Sequence, residues 1–123
     1  MLRFTESIKQ KLKTGEKYVY PDVIYTCEPA DLADDSETVV RSPSLLIEAF
    51  SESSQRNDIY HKRVEYFKIP SLQYYLLVSQ KYCEVEVYER AADFWKYTIY
   101  DDLEASIELK ILGIKLGMKE IYS

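Results

Sequence analysis

The sequence predicts an α/β fold with a mixed β-sheet and one main helix, and three segments support this prediction. The apolar run Ser44–Ser51 ends at a serine and is typical of a strand buried on both faces. Ser53 or Ser54 can then cap a helix that continues to about Phe67. A second apolar run, Leu72–Val78, predicts another strand. A strand, a helix and a strand joined by short links form a crossover, so the two strands are expected to be parallel.

Length and composition indicate one ordinary globular domain over residues 1–123. The chain is 46% apolar and 30% charged, which is usual for such a domain, and its length is enough for a single hydrophobic core. It has neither an apolar run near the roughly 18 residues that cross a membrane nor a signal peptide, so a cytoplasmic location without membrane contact is expected. Because the net charge is −5, nucleic acid is expected to bind only at a local basic patch.

The N-terminal third of the chain predicts strands separated by loops. Residues 2–10 are interpreted as an edge strand, and Lys13–Glu16 as a turn. Tyr18–Cys27 predicts a strand that is interrupted at Pro21, since proline cannot donate to a strand ladder. A bulge or a strand start at this proline re-aims the residue that follows it. Residues 28–41 are interpreted as an acidic, solvated loop.

The C-terminal half predicts a buried helix face and then an antiparallel region. Tyr60, Val64 and Phe67 are spaced i, i+4 and i+7, so they are expected to face the core, and Pro70 ends the helix. Alternating apolar and polar residues predict a hairpin with one wet face. The remaining predicted elements are hairpin strands at Cys83–Tyr88 and Trp95–Ile99, a last strand at Ile107–Leu109 and a terminal helical turn at Met118–Tyr122.

Glu48 is the first candidate for a functional residue, because it lies inside the apolar run Ser44–Ser51. Burying an ionised carboxylate costs several kcal/mol unless the group is paired or binds a cation. The partner of Glu48 is therefore expected to be a cation site or a nearby base. Two further candidates are Asp22, which follows Pro21 at the strand interruption, and Lys62, on the helix after the Glu48 strand.

Two carboxylates and a lysine form a set that suits phosphodiester chemistry. Mg²⁺ is usually bound by one or two carboxylates and keeps several waters, and such a metal polarises a phosphodiester and activates a bound water. A nearby lysine can neutralise the charge that builds in the transition state. Spacing alone leaves simpler roles open, since Asp22 can bond its own backbone in a turn. Lys62 can likewise form a surface ion pair with Asp58 or Glu65.

The chain resembles the Uma-type family of restriction endonucleases, within the PD-(D/E)XK nuclease superfamily. The similar segments are Tyr18–Tyr25 (YVYPDVIY), Pro43–Ser54 (PSLLIEAFSESS), Tyr60–Gln80, Val85–Tyr88, Leu112–Leu116 and Glu120–Tyr122. They occur in the family's order from about Tyr18 to the C-terminus. The resemblance implies a restriction-endonuclease-like mixed sheet with one main crossover helix and a C-terminal antiparallel hairpin region.

The same resemblance implies a divalent-metal phosphodiesterase core that acts on DNA. Asp22 matches the aspartate of the family's Pro-Asp pair and Glu48 its second carboxylate, so both are implied ligands of Mg²⁺ or Mn²⁺. The superfamily usually has a lysine two residues after that glutamate, whereas this chain has Phe50. A lysine on the following helix takes its place in this family, and Lys62 stands there.

The sequence leaves two interpretations of function open. The first is a Mg²⁺- or Mn²⁺-dependent endonuclease of DNA, with Asp22, Glu48 and Lys62 as its catalytic residues. The second is a catalytically inactive remnant that keeps the fold and acts as an oligomeric interaction module. Family members carry a longer N-terminal helical region, whereas only about seventeen residues precede Tyr18 here. Since a missing helical layer exposes apolar sheet surface, a homodimer or a larger homo-oligomer is expected.

Overall fold

The structure, a computed structural model, consists of eleven described strands and two described helices. It describes the backbone of residues 2–4, 11–14, 17–19, 23–26, 39–40, 42–50 and 56–122, and the side chains of residues 23–26, 42–50 and 57–122. The strands are β1 (Leu2–Phe4), β2 (Lys11–Thr14), β3 (Lys17–Val19), β4 (Val23–Thr26), β5 (Val39–Val40), β6 (Pro43–Phe50), β7 (Tyr74–Ser79), β8 (Val85–Arg90), β9 (Trp95–Tyr100), β10 (Ser106–Leu109) and β11 (Ile114–Gly117). The helices are α1 (Arg56–Phe67) and α2 (Met118–Tyr122), and a 3-10 turn covers Lys110–Leu112.

A six-stranded mixed sheet with the order β1-β4-β6-β7-β8-β9 forms the centre of the molecule. The neighbours β6 and β7 are parallel, and every other neighbouring pair in this sheet is antiparallel. Helix α1 connects the two parallel strands. The predicted crossover unit is therefore confirmed, and the apolar run that contains Glu48 is a central strand, β6, between β4 and β7.

The two faces of the sheet are covered by different parts of the chain, because side chains alternate between the faces along each strand. Helix α1 packs on one face, and the hairpin of β10 and β11 packs with α2 on the other. The buried core on the α1 side consists of Ile24, Leu46, Tyr66, Ile69, Leu72, Tyr75 and Leu77. The buried core on the other side consists of Leu45, Tyr74, Leu76, Val85, Val87, Ile107, Leu109 and Met118.

The buried face of α1 differs from the prediction. Tyr60 is 52% exposed and Val64 is 39% exposed, so these two residues do not face the core. Ile59, Tyr66 and Phe67 pack against the sheet instead, and Tyr66 is fully buried. The segment is helical as predicted, but the prediction of the buried face was right for Phe67 and wrong for Tyr60 and Val64. In the observed orientation of the helix, the Tyr66 hydroxyl and the Lys62 amino group lie near the Glu48 carboxylate of the sheet.

Arg90, the last residue of β8, binds the C-terminal end of α1. Its guanidinium donates to the carbonyl oxygens of Phe67 at 3.2 Å, Ile69 at 2.9 Å and Leu72 at 2.6 Å. The same group lies 4.4 Å from the centre of the Trp95 ring. A helix end leaves carbonyl groups without partners inside the helix. Arg90 supplies donors for this region and so fixes the helix against the sheet.

The N-terminal segments differ in part from the prediction. The edge strand is confirmed at Leu2–Phe4, while residues 5–10 lie outside the described residues. Lys13 and Thr14 belong to β2 rather than to a turn, since β2 pairs with β3 in antiparallel register. β2 also pairs with β5 in parallel register, so the segment 28–41 contains a short strand that the loop interpretation missed. Both residues of β5 are valines, which are common in strands.

The C-terminal half agrees more closely with the prediction. β8 and β9 form the expected antiparallel hairpin, and β10 and α2 occur where they were predicted. β11 was missed; it pairs with β10 in antiparallel register. The connection turns at Gly113, whose φ of 66° is a left-handed conformation that favours glycine. Over the described part of the chain, neither helix has the length and apolar character needed to span a membrane.

Candidate functional site

Glu48 lies near the C-terminal end of β6 and is only 7% exposed. It pairs with Leu77 across the parallel strands β6 and β7. Because residues two apart on a strand share a face, Glu48 lies on the same face as Leu46, which is the face covered by α1. The carboxylate is therefore enclosed between the sheet and the helix.

Two tyrosine hydroxyls donate to the Glu48 carboxylate, one from the helix and one from the sheet. The Tyr66 hydroxyl is 2.7 Å from Glu48 Oε1, and the Tyr75 hydroxyl is 3.2 Å from Glu48 Oε2. The two rings meet edge to face with their centres 5.4 Å apart. Both tyrosines are fully buried. The two hydrogen bonds hold the carboxylate in one orientation.

The environment of the two tyrosines keeps their hydroxyl groups protonated. Burial raises the pKa of Tyr66 and of Tyr75 far above the ordinary value of 10.0, and the negative charge of Glu48 raises both further. Both phenols therefore remain hydrogen-bond donors at neutral pH.

This environment predicts a loss of stability in alkali. A tyrosine whose pKa is higher in the folded than in the unfolded protein contributes stability that is complete below about pH 10 and is lost as the pH rises further. Each of Tyr66 and Tyr75 is expected to lower the free energy of unfolding by about 1.4 kcal/mol per pH unit above about pH 10. Denaturant unfolding curves measured from about pH 9 to pH 11 test this expectation.

Two phenylalanine variants separate the buried hydroxyls from a surface one. Tyr66→Phe is expected to reduce the alkaline slope by about 1.4 kcal/mol per pH unit, because it removes a phenol that ionises in the unfolded protein but stays protonated in the folded one. Tyr60→Phe is the matched control on the same helix, since the Tyr60 side chain is 52% exposed. Equal slopes in the two variants would contradict the proposed effect of the buried phenols.

Lys62 lies between a surface carboxylate and the buried one. Its Nζ is 3.3 Å from Asp58 Oδ2 and 4.0 Å from Glu48 Oε1. Its side chain is 35% exposed. Of the two surface pairs that the spacing allowed, the one with Asp58 forms, whereas Glu65 pairs with Lys68 at 3.4 Å. The structure thus brings Lys62 and Glu48 together. The amino group of Lys62 lies near two carboxylates, those of Asp58 and Glu48.

Asp22 lies outside the described residues, so its side chain is not part of this geometry. The next residue, Val23, begins β4 and pairs with Ile47, the residue before Glu48. The side chains that the structure describes include no cluster of three or more His, Cys, Asp or Glu residues able to hold a metal ion. Carboxylate oxygen is nevertheless the donor that Mg²⁺ prefers, and one or two protein carboxylates are its usual complement. The donor type at Glu48 therefore fits this metal.

Sequence reasoning missed both tyrosines that bind Glu48. A signal existed for Tyr66, since it lies four residues after Lys62 and so shares its helix face. The signal for Tyr75 was weaker, since its face on β7 depends on the register with β6. The chain contains 12 tyrosines, and spacing alone does not select these two among them.

Comparison with known proteins adds a family and a fold to this geometry. The model of the Uma2 family, described as "Putative restriction endonuclease", matches residues 2–119. The chain belongs to the Uma2 family. The family resemblance and the restriction-endonuclease-like fold expected from the sequence are both confirmed. The Uma2 assignment rests on almost the whole sequence and not on the candidate site alone.

Relatives of this Uma2 chain include two proteins of Synechocystis sp. that are described as uncharacterized. One, sll1609, is 34% identical over 112 residues, which cover 90% of this chain and 63% of the relative. The other, slr1290, is 32% identical over 116 residues, which cover 94% of this chain and 60% of the relative. The chain thus spans about three-fifths of the length of these curated relatives.

A solved structure shares the Uma2 fold seen here. It is the crystal structure of "a putative nuclease belonging to DUF820" from Anabaena variabilis, with a TM-score of 0.69 and 13% sequence identity. The match covers 98% of this chain and 66% of that one. At this identity the likeness shows the fold alone.

The Uma2 chain departs from the usual superfamily pattern at Phe50, where the resemblance places a lysine. Phe50 lies two residues after Glu48 and packs against the core on the α1 side. The amino group near Glu48 comes instead from Lys62 on α1, at 4.0 Å. The helix that connects the parallel strands therefore supplies the positive charge that the strand itself lacks.

Proposed function

We propose that this chain carries the core of a nuclease that hydrolyses DNA phosphodiester bonds with Mg²⁺ or Mn²⁺. The observation that supports this proposal most is the approach of the Lys62 amino group to the buried Glu48 carboxylate, at 4.0 Å. The family description and the printed title of the structural neighbour name nucleases. Both names support phosphodiester cleavage as the proposed activity.

Asp22 is the proposed second metal ligand. Val23 pairs with Ile47 in antiparallel register, and the proposal continues this register by one residue on each strand. Asp22 would then stand opposite Glu48, and directly opposed residues of an antiparallel pair share a face with Cβ atoms about 4.5–5.5 Å apart. Two carboxylates at this spacing can bind one cation at metal–oxygen distances of about 2.0–2.6 Å.

Each residue of the proposed site has a separate task. Tyr66 and Tyr75 orient the Glu48 carboxylate through their hydroxyl groups. A divalent cation bound by Glu48 and Asp22 would polarise the phosphodiester and lower the pKa of a water molecule. Lys62 neutralises the negative charge that develops on the phosphoryl oxygens. Asp58 holds the Lys62 amino group near the site, at 3.3 Å, until the negatively charged substrate arrives.

A cleavage assay on this chain tests the proposal. Plasmid DNA and single-stranded DNA are incubated with the protein in Mg²⁺, in Mn²⁺ or in EDTA, beside a longer member of the family as a positive control. Cleavage is expected with either metal and not in EDTA, because the carboxylates have no catalytic role without the cation. If the longer protein cleaves and this chain does not, the inactive interaction module becomes the better interpretation of the chain.

A further inference from the structure

A cavity lies beside Glu48 on the same face of the sheet. Strand pairing places Glu48 next to Leu77 and Leu77 next to Glu86, in one row across β6, β7 and β8. Neighbouring strands are about 4.8 Å apart, so Glu48 and Glu86 are separated by about 10 Å. A cavity of about 190 Å³ opens above Leu77 and Glu86, between the sheet and α1. Helix α1 thus places Lys62 near Glu48, and it places Ile59, Tyr60 and Arg63 at the cavity.

The described residues around the cavity combine an apolar floor with one acidic and one basic side chain. They are Phe50, Ile59, Tyr60, Arg63, Leu77 and Glu86. Such a mixture of apolar surface with a few polar groups is typical of a site for a small organic group rather than for a bare ion. Tyr60 is 52% exposed and so offers an aromatic ring at the side of the cavity. Exposed aromatic rings next to positive charge are the platforms on which single-stranded nucleic acids stack their bases.

The size of the cavity restricts the group that it can accept. In another protein, an apolar cavity of about 150 Å³ accommodates benzene. A volume of about 190 Å³ therefore suits a single six-membered ring with small substituents. A base pair does not fit into such a space, so a nucleic acid could place only an unpaired base there.

Glu86 and Arg63 provide an acceptor and a donor for the edge of that ring. One oxygen of Glu86 accepts a hydrogen bond of 2.6 Å from the Tyr97 hydroxyl, which fixes the orientation of the carboxylate. The Arg63 guanidinium donates to the Tyr88 hydroxyl at 2.6 Å and lies over the rings of Tyr60 and Tyr88, at 5.4 Å and 5.1 Å. Among the described side chains, Arg63 forms no ion pair with a carboxylate. Its remaining N–H groups are suited to a ligand acceptor.

We propose that this cavity binds one unstacked cytosine of a single-stranded DNA whose phosphodiester lies at Glu48. Cytosine presents an amino donor, which Glu86 accepts, beside ring and carbonyl acceptors, which suit Arg63. Thymine has the same ring size but presents a carbonyl oxygen where cytosine has the amino group, so it opposes the Glu86 carboxylate. The inference rests on the proposed function, and it adds to it a strand type and a base preference.

The distance between the cavity and Glu48 agrees with this arrangement. About 10 Å between Glu48 and Glu86 corresponds to about three nucleotides at the duplex rise of about 3.4 Å per strand. A more extended single strand covers it with fewer nucleotides. The base in the cavity would therefore belong to a nucleotide close to the bond that is cleaved.

Equilibrium binding in EDTA tests the inference without any cleavage. Labelled homopolymers of deoxycytidine and deoxythymidine of equal length are titrated with the protein at low salt, and fluorescence anisotropy gives both affinities. The deoxycytidine strand is expected to bind about five-fold or more tightly, as one well-placed base contact provides. Glu86→Gln is expected to bring the ratio close to one, because an amide both accepts from cytosine and donates to thymine. This variant keeps an acceptor for the Tyr97 hydroxyl, so the fold is retained.

Two further variants separate stacking from general effects. Tyr60→Ala is expected to lower the affinity for both DNA homopolymers by about five-fold or more, since base–aromatic stacking is largely independent of the base. Phe94→Ala is the matched control, because Phe94 is also an exposed aromatic residue, at 64%, and lies in the turn between β8 and β9. Equal binding of the two strands by the unmodified protein would overturn the inference, as would an unchanged preference in Glu86→Gln.

The same measurements keep the inference distinct from the proposed function. A protein that prefers deoxycytidine in EDTA but cleaves nothing in Mg²⁺ retains the base site and loses the nuclease assignment. A protein that cleaves DNA but binds both homopolymers equally loses the base site and retains the nuclease assignment.

Discussion

Glu48→Gln is expected to abolish metal-dependent cleavage of DNA while the protein remains folded. Glutamine has the size of glutamate, and its amide oxygen can still accept the hydrogen bond from Tyr66. It lacks the negative charge that binds a hard divalent cation. Cleavage should therefore fall below detection, and the binding of Mn²⁺ measured by calorimetry should be lost with it. Circular dichroism and denaturant unfolding report whether the variant is folded.

Two other substitutions define the specificity of this result. Asp22→Asn is expected to have the same effect as Glu48→Gln, because the proposed site needs both carboxylates for one cation. Glu104→Gln is the control, since Glu104 is an exposed carboxylate that pairs with Lys119 at 2.9 Å. If Glu48→Gln cleaves as fast as the unmodified protein, Glu48 has a structural role only, as a partner of Tyr66, Tyr75 and Lys62.

The parallel pair of strands could be predicted from the sequence because two strands buried on both faces are connected by a helix. The segments around Leu46 and Leu76 are apolar enough to require cover on both faces, and only one polar stretch lies between them. A strand buried on both faces belongs in the middle of a sheet, and the link between β6 and β7 is long enough for a helix. The same reasoning identified Glu48 as a candidate, since it is a carboxylate inside an apolar run.

The phase of α1 could not be predicted in the same way. Apolar spacing favoured Tyr60 and Val64 on the buried face, but the helix places Tyr66 and Lys62 there. The reason is that the sheet presents a buried carboxylate at this point, and its need for hydrogen-bond donors outweighs the burial of a valine or of the Tyr60 ring. The hydrophobic pattern of the helix does not include this effect, because the acceptor, Glu48, lies on β6.

Two short strands were missed for a different physical reason. β5 has two residues and β11 has four, and each is defined by its pairing with a strand elsewhere in the chain. Local propensity is a weak guide for such strands, since their stability comes from the partner and not from their own residues. Gly113 was the available signal for β11, because a glycine between two apolar stretches marks the turn of a hairpin.

Different kinds of information were needed to predict Glu48 and Lys62 as residues of the candidate site. Glu48 follows from burial, which the sequence expresses directly. Lys62 became a strong candidate only through the family resemblance, since its spacing from Asp58 fits a surface pair equally well. The structure shows that Lys62 contacts both Asp58 and Glu48, so the two interpretations are not exclusive. The kinetics of a Lys62 variant test the proposed catalytic role.

Lys62→Ala is expected to lower cleavage by about 10²-fold or more, as the loss of one preorganised electrostatic group typically does. The free energy of unfolding should change by about 1 kcal/mol at most, because the side chain is partly exposed and its pair with Asp58 is a surface pair. The affinity for Mn²⁺ should be unchanged or slightly higher, since a lysine repels a cation at the neighbouring carboxylate. A large kinetic effect with intact metal binding would distinguish Lys62 from Asp22 and Glu48.

Lys68→Ala provides the control for this experiment, because Lys68 lies just beyond the end of α1 and pairs with Glu65 on the surface at 3.4 Å. It removes one positive charge from the same region of the protein, so it reports how far cleavage depends on general attraction of DNA. The two alanine variants should differ at saturating DNA, where a weaker general attraction no longer limits the rate. If they cleave equally well under these conditions, Lys62 acts only as the surface partner of Asp58, and the charge in the transition state is neutralised by another group.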